Sequence, residues 1–134
     1  MDQSIKYIAT LNFFGQFKGG FEVVKRWSNE AIEAVASDDI MVQYHALGFL
    51  YLIRKKSDGL AVSKMVSKLI KTQLKSPYAL CHLIRIAAQV IVEEKNHGYT
   101  SWDFIESCLK HKSEMVVFEA ANALLNLTKN SNKA

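Results

Sequence analysis

The sequence predicts an all-α protein built from stacked helix pairs, and three observations lead there. Pro77 is the only proline in 134 residues, and apolar positions recur at intervals of three and four, as the buried stripe of a helix requires. No stretch shows the period-two alternation of a half-buried strand. Three blocks stand 37 residues apart both times: Met41-Val42-Gln43-Tyr44-His45-Ala46-Leu47, Tyr78-Ala79-Leu80-Cys81-His82-Leu83-Ile84 and Met115-Val116-Val117-Phe118-Glu119-Ala120-Ala121. Each follows a capping stretch containing Asp39, Ser76 or Ser113, and each has a larger side chain (Tyr44, Cys81, Phe118) three places beyond its first position. A period of this length with two helices per unit falls between tetratricopeptide and HEAT/armadillo repeats. The predicted fold is an α-solenoid of about three HEAT/armadillo-like repeats, with the more apolar second helix of each pair in the inner layer.

The elements can be taken in order. Residues 1–20 fit the plan poorly: Ile5, Ile8 and Leu11 suit one short helix, Gly15, Gly19 and Gly20 interrupt the helical pattern beyond it, and Phe13, Phe14 and Phe17 need a neighbour to bury them. Over 21–36, Phe21, Val24, Ile32 and Val35 are helically spaced with Glu and Lys between them. Asp38 and Asp39 are placed to accept hydrogen bonds from the free first-turn amides of a helix over 40–55. Ser57-Asp58-Gly59 reads as a turn, and a third helix spans 60–72. Ser76-Pro77 opens the fourth, with serine as cap and proline at the first helical position, where its missing donor costs nothing; it runs to about 94. Helices over 102–110 and 113–128 complete six. The chain therefore divides into a divergent amino-terminal segment (1–20), a solenoid (21–129) and a frayed tail (130–134).

Composition excludes several classes. With 49% hydrophobic and 22% charged residues, the chain is too apolar for a disordered segment. Two cysteines cannot build a disulfide scaffold, so Cys81 and Cys108 are expected as free thiols. Met1-Asp2-Gln3 begins no export signal. The most apolar run, residues 78–92, is 15 long and holds His82 and Arg85, too short and too charged to span a bilayer. The expectation is a soluble, cytosolic chain.

Signatures of chemistry are missing. The sequence contains no phosphate loop, no dinucleotide fingerprint and no nucleophile elbow. Cys108 and His111 have metal-compatible spacing, but two ligands fall short of the four a structural zinc requires. Cys81 and His82 are adjacent, hence about 100° apart on a helix, and cannot act as a dyad. His45 lies beside an apolar face, and Asp38-Asp39 and Glu93-Glu94 sit at helix ends, where caps and dipoles account for such acids. Trp27 and Trp102 read as packing residues of first helices. No enzyme, metal, cofactor or small-molecule substrate is expected.

The charge distribution says more. The net charge is +4, yet residues 54–92 carry eight basic side chains against Asp58 alone. Lys64, Lys68, Lys71 and Lys75 are spaced four, three and four, which would stack them on one face of the third helix, opposite Val62, Met65, Val66 and Leu69. Two readings stay open: a stripe for an acidic partner, whether protein surface or anionic lipid, and a solvated face that simply lacks acids. Nucleic acid is disfavoured, since no aromatic residues interleave with the stripe and no binding motif accompanies it.

Six collinear strings resemble the gamma subunit family of coatomer: Val24-Lys25-Arg26-Trp27-Ser28-Asn29-Glu30, Val42-Gln43-Tyr44-His45-Ala46-Leu47-Gly48, Leu60-Ala61-Val62-Ser63-Lys64-Met65, Leu74-Lys75-Ser76-Pro77, Asp103-Phe104-Ile105-Glu106-Ser107-Cys108-Leu109 and Glu114-Met115-Val116-Val117-Phe118-Glu119-Ala120-Ala121. Together they cover about residues 21–127. The resemblance implies a segment of an α-solenoid trunk, similar to the large chains of clathrin adaptors, in a protein that coats Golgi-derived vesicles without catalysing a reaction. It implies as partners the other coatomer subunits, the zeta chain especially, and a GTP-bound Arf-family GTPase, with peripheral attachment to Golgi membranes and COPI vesicles in Golgi-to-ER and intra-Golgi transport. The alternative is a freestanding helical-repeat module with an unrelated acidic partner.

Overall fold

A computed structural model describes residues 28–57, 59–94 and 98–131. The expected helix and glycine turn of residues 1–20, and Trp27, lie outside the described residues. Among the described residues six helices follow one another: α1 (Ser28–Val35), α2 (Ile40–Ser57), α3 (Gly59–Ile70), α4 (Pro77–Glu93), α5 (Gly98–Cys108) and α6 (Glu114–Ser131). They form three antiparallel pairs. The second helices stack as α2, α4, α6 in one layer, while α3 and α5 pack together in the other. This is a two-layer helical-repeat stack, as the 37-residue period predicts.

Each boundary has a local cause. After α1 the chain tightens, with Ala36 N donating to Glu33 O and Ser37 N to Ala34 O, each at 3.1 Å. Asp39 then caps α2: its Oδ1 accepts from Met41 N at 2.9 Å and Val42 N at 3.0 Å. Its neighbour Asp38, expected to share that role, instead pairs with Lys75 from the next repeat. Gly59 does not end α2 but begins α3. The third helix is shorter than expected. It stops at Ile70, where Thr72 Oγ1 donates to Lys68 O at 2.8 Å and Thr72 N to Leu69 O at 3.1 Å. Ser76 caps α4 by accepting from Ala79 N at 3.2 Å, with Pro77 in the first turn. Before α6, the His111 ring closes the loop, its Nδ1 accepting from Ser113 N at 3.0 Å. The helix α6 then continues through Asn130 to Ser131, into the stretch expected to fray.

The core lies between the layers and is densest along α2 and α4. Phe49, Leu47, Ile53, Leu83, Ile84 and Val66 are fully buried, joined by Ile105 and Val116. Both α2 and α4 bury residues on more than one side, because each touches its own partner helix and the neighbouring repeats. Contacts across repeats show the sequence period directly. Gln43 reaches Ser76, Tyr44 meets Tyr78, Cys81 Sγ donates to Met115 O at 3.6 Å, and Arg85 Nε donates to Glu119 Oε1 at 2.8 Å. No described helix is long and apolar enough to cross a membrane.

Candidate functional site

The lysines singled out in the sequence do not form one stripe. Lys64 and Lys68 lie one turn apart on α3, exposed, with Met65, Val66 and Leu69 buried beneath them. Lys71 falls in the turn after α3, and Lys75 in the extended link to α4. The Lys75 ammonium is engaged by Asp38, and that hydrogen bond and charge hold the Asp38 carboxyl below the usual carboxylate range. With both side chains largely in water, such a pair contributes little to stability; it marks the junction between repeats. The four-lysine face requires helix through residue 75, but the helix ends at Ile70 and Gln73 takes a positive φ of 21°, outside the right-handed helical region.

Lys64 and Lys68 join a different neighbour instead. Helices α1 and α3 both pack on α2, and between them lies an open groove of about 440 Å³. Val35 from α1, Leu50 from α2 and Met65 and Leu69 from α3 line it with apolar surface, and Ile32 stands at its edge. Among the described residues its charged lining is Arg54, Lys64 and Lys68. None of these three has a carboxylate partner among the described residues. The groove thus combines an apolar floor with a basic rim. Arg54 was visible in the sequence as part of the basic stretch. Its place beside Lys64 and Lys68 was not, since it depends on α3 folding back along α2.

A second recess lies on the opposite, inner layer. Tyr44, His45, Gly48 and Tyr51 of α2 and His82 of α4 surround about 420 Å³. Tyr44 and Tyr51 approach the His82 ring at 6.1 and 6.0 Å between centroids, and Lys55 Nζ stands 5.6 Å from the Tyr51 ring. Burial first, and the Arg85 charge second, push the His82 imidazole below its ordinary range, towards the neutral form. The sequence carried a signal for this cluster, since residues 44, 48 and 51 share a helix face.

The remaining titratable candidates are structural. Cys81 and Cys108 are buried free thiols. Burial raises both, aided at Cys81 by the Glu119 charge and at Cys108 by Cys81, which keeps them protonated and poorly nucleophilic. His111 is committed to the loop before α6, and Trp102 donates to Glu106 at 2.9 Å while packing on the core. Among the described residues no three His, Cys, Asp or Glu side chains converge on a metal-sized space.

A two-layer stack of helix pairs with a 37-residue period is the architecture of several repeat families, and comparison with known sequences decides between them. The family described as "Adaptin N terminal region" matches residues 1–134. The chain belongs to this adaptin N-terminal family. Within it, the chain is 63% identical over 116 residues to coatomer subunit gamma of Drosophila melanogaster, covering 83% of this chain and 13% of that protein. It is 54% identical over 125 residues to coatomer subunit gamma-2 of Xenopus tropicalis and to coatomer subunit gamma-1 of Rattus norvegicus, covering 92% of this chain and 14% of each relative. This adaptin-type segment thus spans about one seventh of the length of the relatives it matches. The expected coatomer gamma resemblance and the all-helical adaptin-like fold both stand on these findings.

Proposed function

We infer that this adaptin-type segment is a scaffold element of a vesicle coat: a non-enzymatic stack of helix pairs that associates with other coatomer subunits. The observation that carries the reading is the 63% identity to a coatomer gamma subunit, spread over 116 residues rather than confined to one motif. By the same reasoning its partners are the zeta chain and a GTP-bound Arf-family GTPase, and its place is the cytoplasmic side of Golgi membranes and COPI vesicles. Attachment there is through the coat, with Lys64 and Lys68, and Lys71 beside them, offering positive charge to an acidic surface. A freestanding module with an unrelated partner has no comparable support.

Binding tests the reading. Immobilised chain should retain the coatomer zeta chain and GTP-loaded Arf from purified mixtures, and GDP-loaded Arf should be retained less. Failure to retain either at micromolar concentrations refutes the coat assignment for this segment.

A further inference from the structure

We propose that the groove between α1 and α3 is a docking site for an acidic amphipathic helix of a partner protein. This rests on the scaffold reading and names the chemistry of one of its contacts. The floor, formed by Val35, Leu50, Met65 and Leu69, is apolar, and the edge residue Ile32 keeps 38% of its surface in water. Above the floor stand Arg54, Lys64 and Lys68, with no carboxylate among the described lining residues. Three cations around one apolar trough repel each other unless something acidic lies among them, and the described residues supply nothing acidic there.

The dimensions suit a helix. At 1.5 Å per residue, the 12 residues of α3 make a wall about 18 Å long. A docked helix places apolar anchors at i, i+3 or i+4, and i+7, a span of about 10 Å. A cavity of 440 Å³ accommodates such a set of side chains. Lys64 and Lys68 repeat at one helical turn, so carboxylates four apart on the incoming helix meet both. A bilayer surface could meet the lysines but not a floor recessed between two helices. A nucleic acid would meet the charges, but the described lining residues offer no aromatic side chain for its bases.

The test uses the full chain and two fluorescein-labelled 18-residue peptides with leucine at the same heptad positions, one with glutamate and one with lysine at the flanking sites. The glutamate peptide should bind saturably, at least tenfold tighter than the lysine peptide, and weaken as salt rises. The double variant Lys64→Glu/Lys68→Glu should reverse the preference. Ala61→Trp, which keeps the charges but fills the groove, should weaken both peptides; Ala36→Trp, at an exposed groove position, serves if that variant does not fold. Equal binding of the two peptides, binding indifferent to groove filling, or no binding of the glutamate peptide at 200 µM (about −5 kcal/mol, the weak end for a docked helix) overturns the proposal. So does capture of phosphatidylserine vesicles that depends on Lys64 and Lys68 while neither peptide binds, which assigns the cations to lipid. Coat association is read separately on the same proteins. A chain that takes the peptide but no coat subunit refutes the coat assignment alone; one that takes coat subunits but no peptide refutes the groove alone.

Discussion

Replacing Gln43 by methionine changes almost no volume and should nonetheless be among the costliest substitutions in the chain. Gln43 is only 4% exposed. Its Nε2 donates to Val35 O at 2.8 Å and, more weakly, to Ser37 O at 3.4 Å, while its Oε1 accepts from Ser76 N at 2.7 Å. One side chain thus ties the end of α1 to the start of α4, across a repeat boundary. Methionine leaves Val35 O and Ser76 N buried without these partners, at about 1–3 kcal/mol each. Relief of the glutamine's own desolvation and the flexible thioether recover part of that, so a net loss of about 2–4 kcal/mol is expected. Urea unfolding followed by far-UV circular dichroism measures it, with the slope against urea unchanged if only the native state is affected. The comparison is Ser76→Ala, which removes the α4 cap but keeps the backbone donor to Gln43 and should cost about 0.5–2 kcal/mol. A Gln43→Met loss below about 0.5 kcal/mol, within the range of ordinary surface substitutions, would show that the bridge does not hold the repeats together.

Other expectations come from burial and titration. Phe49→Ala, at 1% exposure, should cost about 3–5 kcal/mol, whereas Phe118→Glu, at 71% exposure, should leave the urea midpoint nearly unchanged. The neutral His82 is favoured by the folded state, so the unfolded chain takes up its proton first on acidification. Stability should then be full above the ordinary histidine range and fall as pH drops through it towards the lower folded value, and in His82→Phe this part of the pH dependence should disappear from urea midpoints measured between pH 7.5 and 5. Gly48 lies inside α2, and a Cβ there would meet His82 Cε1 at 3.6 Å, an ordinary contact; Gly48→Ala should therefore stabilise by about 0.5–1 kcal/mol. Cys81 and Cys108 should resist Ellman's reagent at pH 8 in the folded chain and react at once in urea.

The fold was legible because its rules are local and repeated. Asp39 and Ser76 announce two helix starts through the hydrogen bonds they go on to make, and the 37-residue spacing of the three blocks sets which helices stack. The site was less legible because it is assembled from three helices. Spacing alone placed Lys71 and Lys75 with Lys64 and Lys68. Nothing in the local sequence showed that Thr72 would turn back to the Lys68 carbonyl, or that Lys75 would find Asp38 one repeat away. Arg54 could be counted as a charge but not located as a rim residue, and Ile32 could be called apolar but not exposed. Gln43 is the clearest case: a polar residue in an apolar block has no visible reason until both ends of its bridge are in place.

The same register that builds the seams accounts for the apolar surface left on α6. Along α2, residues 44, 48 and 51 face α4: Tyr44 reaches Tyr78 and His82, Gly48 underlies His82, and Tyr51 meets the same ring. Two repeat periods further on, those positions are Phe118, Asn122 and Leu125. Phe118 is 71% and Leu125 60% exposed. Two large apolar side chains seven residues apart on one helix face are therefore not stray surface residues, which occur singly. They occupy the positions that α2 uses to receive α4, so this face of α6 has the chemistry of a repeat seam. The groove by α1 differs in kind. There the apolar floor is ringed by Arg54, Lys64 and Lys68, whereas the cation at the seam between α4 and α6, Arg85, is met by Glu119. Where a seam within this stack carries a cation, the neighbouring repeat answers it, as Glu119 answers Arg85 and Asp38 answers Lys75; the three cations of the groove have no such answer among the described residues, and that difference separates the proposed docking surface from the chain's own stacking.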